Sequence, residues 1–222
     1  MRKLVLDTET SGLNPENDRI IELACVEMVN ESPTGEKYHR YYNPGDIIIS
    51  NEAEQIHGLN NKFLRKFSTF EKSAQEFLDF IKDSQLIIHN ASFDLSMINA
   101  SLKRIGKEII LPERAVCTLE MSKKKFPGSK NNLNALCRRF NISLENRKKH
   151  GALTDCYLLL DVYVELLGGK QEKLNLSQSQ LSMTEKFETP NDFEPVLVQL
   201  SNEEERLHEE LLRKINLSLI HI

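Results

Sequence analysis

Several features that mark secreted, membrane-bound or zinc-binding proteins are missing from this chain of 222 residues. Its four cysteines lie far apart and form no CxxC pair, so neither a zinc site nor a disulfide framework is indicated. No apolar run approaches the roughly 18 residues of a membrane-spanning helix, and the first residues lead into a strand without a signal-peptide pattern. We therefore expect a cytoplasmic protein whose thiols are reduced and buried.

An excess of positive charge, which is common in nucleic-acid-binding proteins, is also absent, because the formal net charge is −4. The acidic excess lies near the end of the chain: residues 168–222 carry 10 acidic and 6 basic residues, whereas residues 1–167 carry 23 of each. The first part therefore has lysines and arginines available for phosphates. With 40% apolar and 28% charged residues, the composition fits one well-buried core plus an appendage.

The first 42 residues predict three strands in an antiparallel meander. Apolar patterning indicates strands over residues 3–10, 19–29 and 36–42, with the first ending at Ser11-Gly12 and a turn around Pro33 to Gly35. The short connections between the strands favour antiparallel pairing.

Strands and helices alternate after the meander. Helical periodicity appears between 51 and 82, short strands are predicted near 86–88 and 114–117, and helices over 92–105, 132–140 and 154–167. This order predicts an α/β fold with a mixed five-stranded sheet flanked by helices. Gly168-Gly169 ends the last helix, so we place a first domain at residues 1–168.

The remaining chain is predicted to be a flexible linker and a short helical segment. Residues 169–192 are polar and keep neither a helical nor a strand period, which is typical of a linker. In the segment 193–222, Ser201 to Glu204 form a capping box. The helix that it opens carries an apolar stripe of Leu207, Leu211, Leu212 and Ile215.

Four carboxylates and one histidine occur in an order and spacing that indicate chemistry: Asp7, Glu9, Asp94, His150 and Asp155. Side chains at i and i+2 of a strand share a face, so Asp7 and Glu9 project together. Such a cluster repels itself unless divalent cations neutralise it, and oxygen ligands favour Mg²⁺ or Mn²⁺. Two such ions, roughly 3.5 to 4 Å apart, suit an in-line displacement at phosphorus, for which His150 has the chemistry of a general base.

Each of these residues also has an explanation without catalysis. Asp7 and Glu9 can be solvated acids of an edge strand, and Asp94 can be a first-turn acid that a helix dipole stabilises. Thr154 can cap the last helix while Asp155 compensates its dipole. The joint occurrence of all five residues favours the catalytic interpretation.

Three segments resemble the motifs of the DEDDh family of 3′ to 5′ exonucleases: Asp7 to Gly12, His89 to Asp94 and His150 to Asp155. The segments Arg19 to Glu22 and Ile56 to Leu59 are similar to the family's bacterial replicative branch. The resemblance covers residues 3 to 167 and implies a ribonuclease H-like fold.

The resemblance also implies a role for each matched residue. Asp7, Glu9 and Asp155 would surround one metal ion, and Asp7 would also bind a second, which Asp94 assists. His150 would be the general base for a water that attacks the terminal phosphodiester and releases a 5′-mononucleotide. A loop including Gly151 would let His150 close when a 3′ end is bound.

Other matched positions would hold the single-stranded 3′ end of DNA. The positions that line the terminal-nucleotide site are Thr10, Ile56, His57, Asn90 and Phe93. Ordinary core or turn structure is the alternative for each of them. The basic clusters 123–125, 138–139 and 147–149 can follow the strand backbone, or they can be solvated helix faces, which is favoured for the first two.

The end of the chain suggests protein partners. The segment Gln178 to Met183 is similar to short peptides that dock on the sliding clamp, with Gln178, Leu181 and Met183 as contacts. Residues 193–215 resemble the segment by which the replicative branch holds the catalytic alpha subunit of the polymerase, although a helix folded back on the first domain is an alternative.

The sequence thus favours a proofreading exonuclease that a replicative polymerase carries. A free-standing DEDDh nuclease in DNA repair or RNA turnover is a second hypothesis, and a non-catalytic adaptor between clamp and polymerase is a third.

Overall fold

A computed structural model describes residues 2–145, 147, 149–169 and 201–215, with the backbone alone for 214 and 215. Its five strands form one mixed sheet in the order β3-β2-β1-β4-β5. The strands are β1 (Arg2–Thr10), β2 (Ile20–Val29), β3 (Ser32–Tyr41), β4 (Gln85–Ile88) and β5 (Ala115–Cys117). The β1–β2 and β2–β3 pairs are antiparallel, whereas β4 pairs parallel with both β1 and β5. The predicted meander and mixed sheet are confirmed.

The turn between β2 and β3 lies earlier than the sequence predicted. Asn30 and Glu31 adopt positive φ angles of 50° and 61°, as both central residues of a type I′ hairpin turn must. The expected turn at Pro33 to Gly35 is therefore wrong, and these residues belong to β3. Proline is tolerated there because β3 is an edge strand and its pairing with β2 shifts register close by, between Val26 and Met28.

The described residues contain eight helices. They are α1 (Asn51–His57), α2 (Asn61–Leu64), α3 (Phe70–Ile81), α4 (Ala91–Arg104), α5 (Thr118–Lys125), α6 (Leu133–Arg139), α7 (Ala152–Leu167) and α8 (Asn202–Ile215). A single 3₁₀ turn, Pro112–Arg114, precedes β5. The helices predicted over 92–105 and 132–140 are confirmed to within a residue or so at each end.

The sheet is covered on both faces, and the alternation of side chains along β1 decides which residues face which layer. Leu4 and Leu6 pack into a core shared with α3 and α4. Val5, one residue out of phase, belongs to a second core built with α6 and α7. Asp7 and Glu9 continue the Val5 side of the strand, so they point toward the α7 layer.

The end of the chain is described by itself. The chain divides into two units, Met1–Lys173 and Leu174–Ile222, and α8 belongs to the second. In α8 the capping box is confirmed: the Ser201 backbone N–H donates to the Glu204 carboxylate at 2.9 Å, and the Glu204 N–H donates to the Ser201 hydroxyl oxygen at 3.4 Å. Leu207, Leu211 and Leu212 are exposed on this helix. Within the part of the chain that the structure describes, no helix is long and apolar enough to cross a membrane.

Candidate active site

Two acids project from the carboxyl end of β1. Val5, Asp7 and Glu9 share a face of the strand, and the apolar part of that face packs against α7. Glu9 is buried and Asp7 is partly buried. The alternative of solvated acids on an edge strand is wrong, because β1 is the central strand of the sheet.

Asp94 reaches the same place from the neighbouring parallel strand. It lies in the first turn of α4, directly after β4, and it is buried. Its Oδ1 accepts hydrogen bonds from the Thr8 backbone N–H at 3.0 Å and the Thr8 hydroxyl at 2.7 Å. The Asp94 carboxylate is therefore bound to β1 at Thr8, the residue between Asp7 and Glu9 in the sequence.

His150 and Asp155 come from the start of α7. This helix begins at Ala152 with Gly151 as its N-cap, two residues earlier than predicted, so Thr154 is not the cap. Asp155 is buried in the first turn, while the His150 side chain is 44% exposed. The His150 backbone N–H donates to the Ile56 carbonyl at 3.1 Å, which ties this loop to α1.

Gly58 supports the same contact between the histidine loop and α1. It ends α1 in the left-handed conformation, with φ of 76°. A Cβ atom at this position would lie 2.6 Å from the Lys149 side chain, so Lys149 crosses the glycine closely. The loop that carries His150 is thus seated on the end of α1.

The acids at this edge of the sheet repel one another. Burial, followed by the charges of Asp155 and Glu22, raises the pKa of Glu9 to about 8. Burial raises the pKa of Asp94 to about 7 despite the hydrogen bonds from Thr8. Burial and the Asp94 charge raise the pKa of Asp7 well above its ordinary value. The site holds more negative charge than its own surroundings neutralise.

Asp155 is the exception, and Arg147 is the reason. Burial acts to raise the pKa of Asp155, but the hydrogen bonds and charge of Arg147 lower it below its ordinary value. The Arg147 Nε donates to Asp155 Oδ1 at 2.6 Å and Nη2 donates to Oδ2 at 2.5 Å. The expectation that Arg147 follows a nucleic-acid backbone is therefore not met in this structure, since its side chain is only 5% exposed and pairs with an acid of the site.

Glu22 is a fifth carboxylate at the site that the sequence analysis did not assign. It lies opposite Glu9 in the β1–β2 ladder, is buried, and its Oε1 is 2.8 Å from His39 Nε2. The motif Arg19 to Glu22 was recognised in the sequence, but the strand register that places Glu22 beside Glu9 was not predictable from it.

An apolar cleft of about 620 Å³ adjoins the acids. Thr10, Ile56, His57 and Phe93, four of the five predicted nucleotide-site residues, line it together with Glu9. Asn90 is not in the lining; it is the exposed N-cap of α4 in the left-handed conformation.

Two further apolar residues of the cleft were missed. Leu13 is 81% exposed and Ile48 is 84% exposed, and both line the cleft. Each lies in an irregular segment, where no periodicity assigns a side chain to a face. Only their exposure beside the cleft identifies Leu13 and Ile48 as cleft residues, and this exposure is known only from the folded structure.

His57 presents an unsatisfied polar atom at the cleft. Its Nδ1 accepts the Leu59 backbone N–H at 3.0 Å, so the neutral ring carries its proton on Nε2. Nε2 is buried and has no well-aligned hydrogen-bond partner among the described residues. Burial lowers the pKa of His57, which favours this neutral form.

Two of the basic clusters hold structural residues. Lys125 Nζ donates to the Glu165 and Leu166 carbonyls at the end of α7, at 3.2 and 3.1 Å. Arg139 lies over the Phe126 ring at 4.3 Å. Both residues are exposed, as the predicted solvated helix faces require, and each also has a contact within the protein.

The site can hold a divalent cation. One ligand atom each from Glu9, His150 and Asp155 lie within 4.8 Å of one another. Burial first, and then the charges of neighbouring acids, raise the pKa values of Asp7 and Glu9. Oxygen-rich sites of this kind suit hard cations.

The predicted clamp contacts Gln178, Leu181 and Met183 lie outside the described residues.

Comparison with known proteins identifies related exonucleases. The exonuclease family RNase_T matches residues 4–163. A relative called DNA polymerase III subunit epsilon in Rickettsia felis is 39% identical and covers 97% of both chains. A protein of the same name in Escherichia coli K12 is 38% identical over 76% of this chain and 72% of its own. A solved structure of exonuclease I has a TM-score of 0.66 at 19% identity, covering 75% of this chain and 40% of that one, which supports the fold.

Proposed function

The chain belongs to the exonuclease family RNase_T, and from this premise we propose that it is the proofreading 3′ to 5′ exonuclease of a DNA polymerase III, of the epsilon-subunit type. One observation carries the proposal. Ligand atoms of Glu9, His150 and Asp155 lie within 4.8 Å of one another beside an apolar cleft, and the charges of Asp94, Glu9 and Asp155 all act on Asp7. An adaptor would have no use for so many repelling acids.

Metal ions would complete this site. Asp7, Glu9 and Asp155 would hold one Mg²⁺ or Mn²⁺, and Asp7 a second with help from Asp94. When bound, such ions supply electrophilic stabilisation of the charge that develops on the phosphoryl oxygens and the leaving 3′-oxygen. The raised pKa values of Asp7, Glu9 and Asp94 support the need for positive charge here.

His150 would take the proton of the attacking water. Its side chain is exposed beside buried Asp155, so it can meet both solvent and a bound 3′ end. The product would be a 5′-mononucleotide and a strand shortened by one residue.

The cleft would receive the unpaired 3′-terminal nucleotides. Phe93, Ile56, Leu13 and Ile48 offer apolar surface to the bases, and Thr10 and His57 line the same cleft. Such contacts read little sequence. A mispaired end costs less to melt into the cleft than a paired one, and this difference would give selectivity for errors.

The rest of the chain would attach this activity to the replication machinery. We assign residues 1–168 to the exonuclease domain, 169–192 to a linker and 193–222 to a segment that binds the polymerase III alpha subunit. The exposed leucines of α8 support an interaction through that helix. Gln178, Leu181 and Met183 would bind the sliding clamp, and the protein would act in the cytoplasm. A clamp pull-down unaffected by Leu181→Ala with Met183→Ala would remove the clamp contact.

The function is tested by Mg²⁺-dependent degradation of paired and 3′-mismatched primers, with Asp7→Ala as the inactive control. We expect faster loss of the mismatched nucleotide and no degradation by the variant. A wild-type chain without activity would favour the adaptor. Equal activity on RNA without mismatch preference would favour the free-standing nuclease.

A further inference from the structure

Arg147 is the residue of the site that the proposed chemistry does not use. Besides its two bonds to Asp155, its Nη1 donates to Asn134 Oδ1 at 2.5 Å. Every nitrogen of the guanidinium therefore donates to a side chain of the site, in one orientation. Such a fork is both strong and geometrically specific.

The same guanidinium also contacts His150. Its Nη2 lies 2.9 Å from His150 Nδ1. Arginine has only donors, so Nδ1 must be the acceptor, and the neutral ring then carries its proton on Nε2. In that state neither ring nitrogen is free to take a proton from water. His150 is therefore idle as a base while Arg147 holds it.

Arg147 competes with metal for Asp155. The guanidinium engages both carboxylate oxygens of Asp155, which is also one of the three residues whose ligand atoms gather within 4.8 Å. A divalent cation on this carboxylate would face a positive charge in direct contact with its ligand. The two cations cannot both keep their best geometry there.

We propose that Arg147 is a positioning residue that couples metal binding to the release of His150. With Arg147 on Asp155, the base is held idle; with a divalent cation on Asp155, the guanidinium withdraws from Asp155 and frees His150 Nδ1. The inference rests on the proposed function, because it takes Asp155 as a metal ligand and His150 as the base. Its consequence is that the base becomes available only in the metal-loaded protein.

The first test is Mn²⁺ binding to the full chain at pH 8, followed by electron paramagnetic resonance. Arg147→Gln should bind Mn²⁺ about tenfold more tightly than the wild type, since a charge in contact with the ligand is removed. Arg138→Gln is the matched control. Arg138 is exposed and lines the same cavity as Arg147, but within the described residues it makes no hydrogen bond or ion pair with Asp155, so its loss should change the affinity less than about twofold.

The second test is the ¹⁵N spectrum of the His150 ring. The metal-free wild type should show a protonated Nε2 and an accepting Nδ1, and Mg²⁺ should change this pattern. Without Mg²⁺, the His150 ring of Arg147→Gln should show the pattern that the wild type shows with Mg²⁺. Arg147→Lys keeps the charge but loses the fork, so it should release the ring with a smaller gain in affinity.

Removing one partner of a buried ion pair costs stability, so folding is checked for each variant by its amide spectrum. If Arg147→Gln does not fold, Asn134→Ala loosens the guanidinium from its other side and should tighten Mn²⁺ binding by a few-fold.

Weaker Mn²⁺ binding by a folded variant, or a His150 ring unchanged by Mg²⁺, would overturn the coupling while leaving the proposed function intact. A wild type that binds no Mn²⁺ would overturn both.

Discussion

Replacing Glu9 with glutamine should stabilise the metal-free protein while it abolishes the metal-dependent activity. Glu9 is buried among like charges, and its pKa is raised from 4.5 to about 8. The native state therefore binds a proton more tightly than the unfolded state. Its stability falls as the pH rises from the unfolded pKa toward the folded one. Glutamine removes this cost, because it never ionises.

The magnitude follows from the pKa difference. At pH 7.5 a shift from 4.5 to about 8 corresponds to about 4 kcal/mol of lost stability. Asp7 and Asp94 compete for the same protons, which reduces the gain from one substitution to roughly 2 to 4 kcal/mol. At pH 5 the gain should be less than about 1 kcal/mol.

The assay is urea unfolding in EDTA at both pH values, followed by circular dichroism. Glu27→Gln is a control of opposite sign. Glu27 pairs with Arg2, and the hydrogen bond from Arg2 lowers its pKa, so its loss should destabilise by less than about 1 kcal/mol. A Glu9→Gln protein that is less stable than the wild type at pH 7.5, or whose gain does not depend on pH, would refute the reasoning.

Three other predictions concern the base, its loop and the tail. His150→Ala should lower turnover by roughly 10² to 10⁴ while Mn²⁺ binding persists; collapse of Mn²⁺ affinity with an unchanged rate per bound metal would contradict the base assignment. Gly58→Ala should cost about 1 kcal/mol through its φ of 76° and also reduce turnover by displacing Lys149, whereas Gly106→Ala, with φ of 66° and open space around it, should cost the same stability without loss of turnover. Truncation near residue 190 should leave nuclease activity intact and abolish polymerase binding in a pull-down; retained binding would place the contact elsewhere.

The parts of the fold that depend on local patterning were predictable from the sequence. The apolar face of α3 and the capping box of α8 require only residues within a few turns of each other, and both were found at their predicted places. The sheet followed from the order of strands and helices. The position of the hairpin turn was not predictable. Asn30 and Glu31 form the turn with positive φ angles, whereas Pro33 and Gly35 are residue types that are more typical of turns.

The candidate site was predictable only in part, because some of its contacts depend on residues that are far apart in the sequence. Its acids and His150 were recognised through motifs, and the structure brings Glu9, His150 and Asp155 together. Arg147 and Glu22 act through contacts that depend on loop path and strand register, which no local pattern specifies. Arg147 lies in a run of basic residues, which predicts a phosphate contact, and only the structure shows that it pairs with the buried Asp155.

The most direct test of the central claim is hydrolysis of a 3′-mismatched primer in H₂¹⁸O with Mg²⁺, followed by mass spectrometry of the released nucleotide. We expect 5′-mononucleotides from the 3′ end, each with one ¹⁸O on phosphorus, and none from Asp7→Ala. Release of 3′-mononucleotides, internal fragments, or product that persists in the Asp7→Ala variant would contradict it.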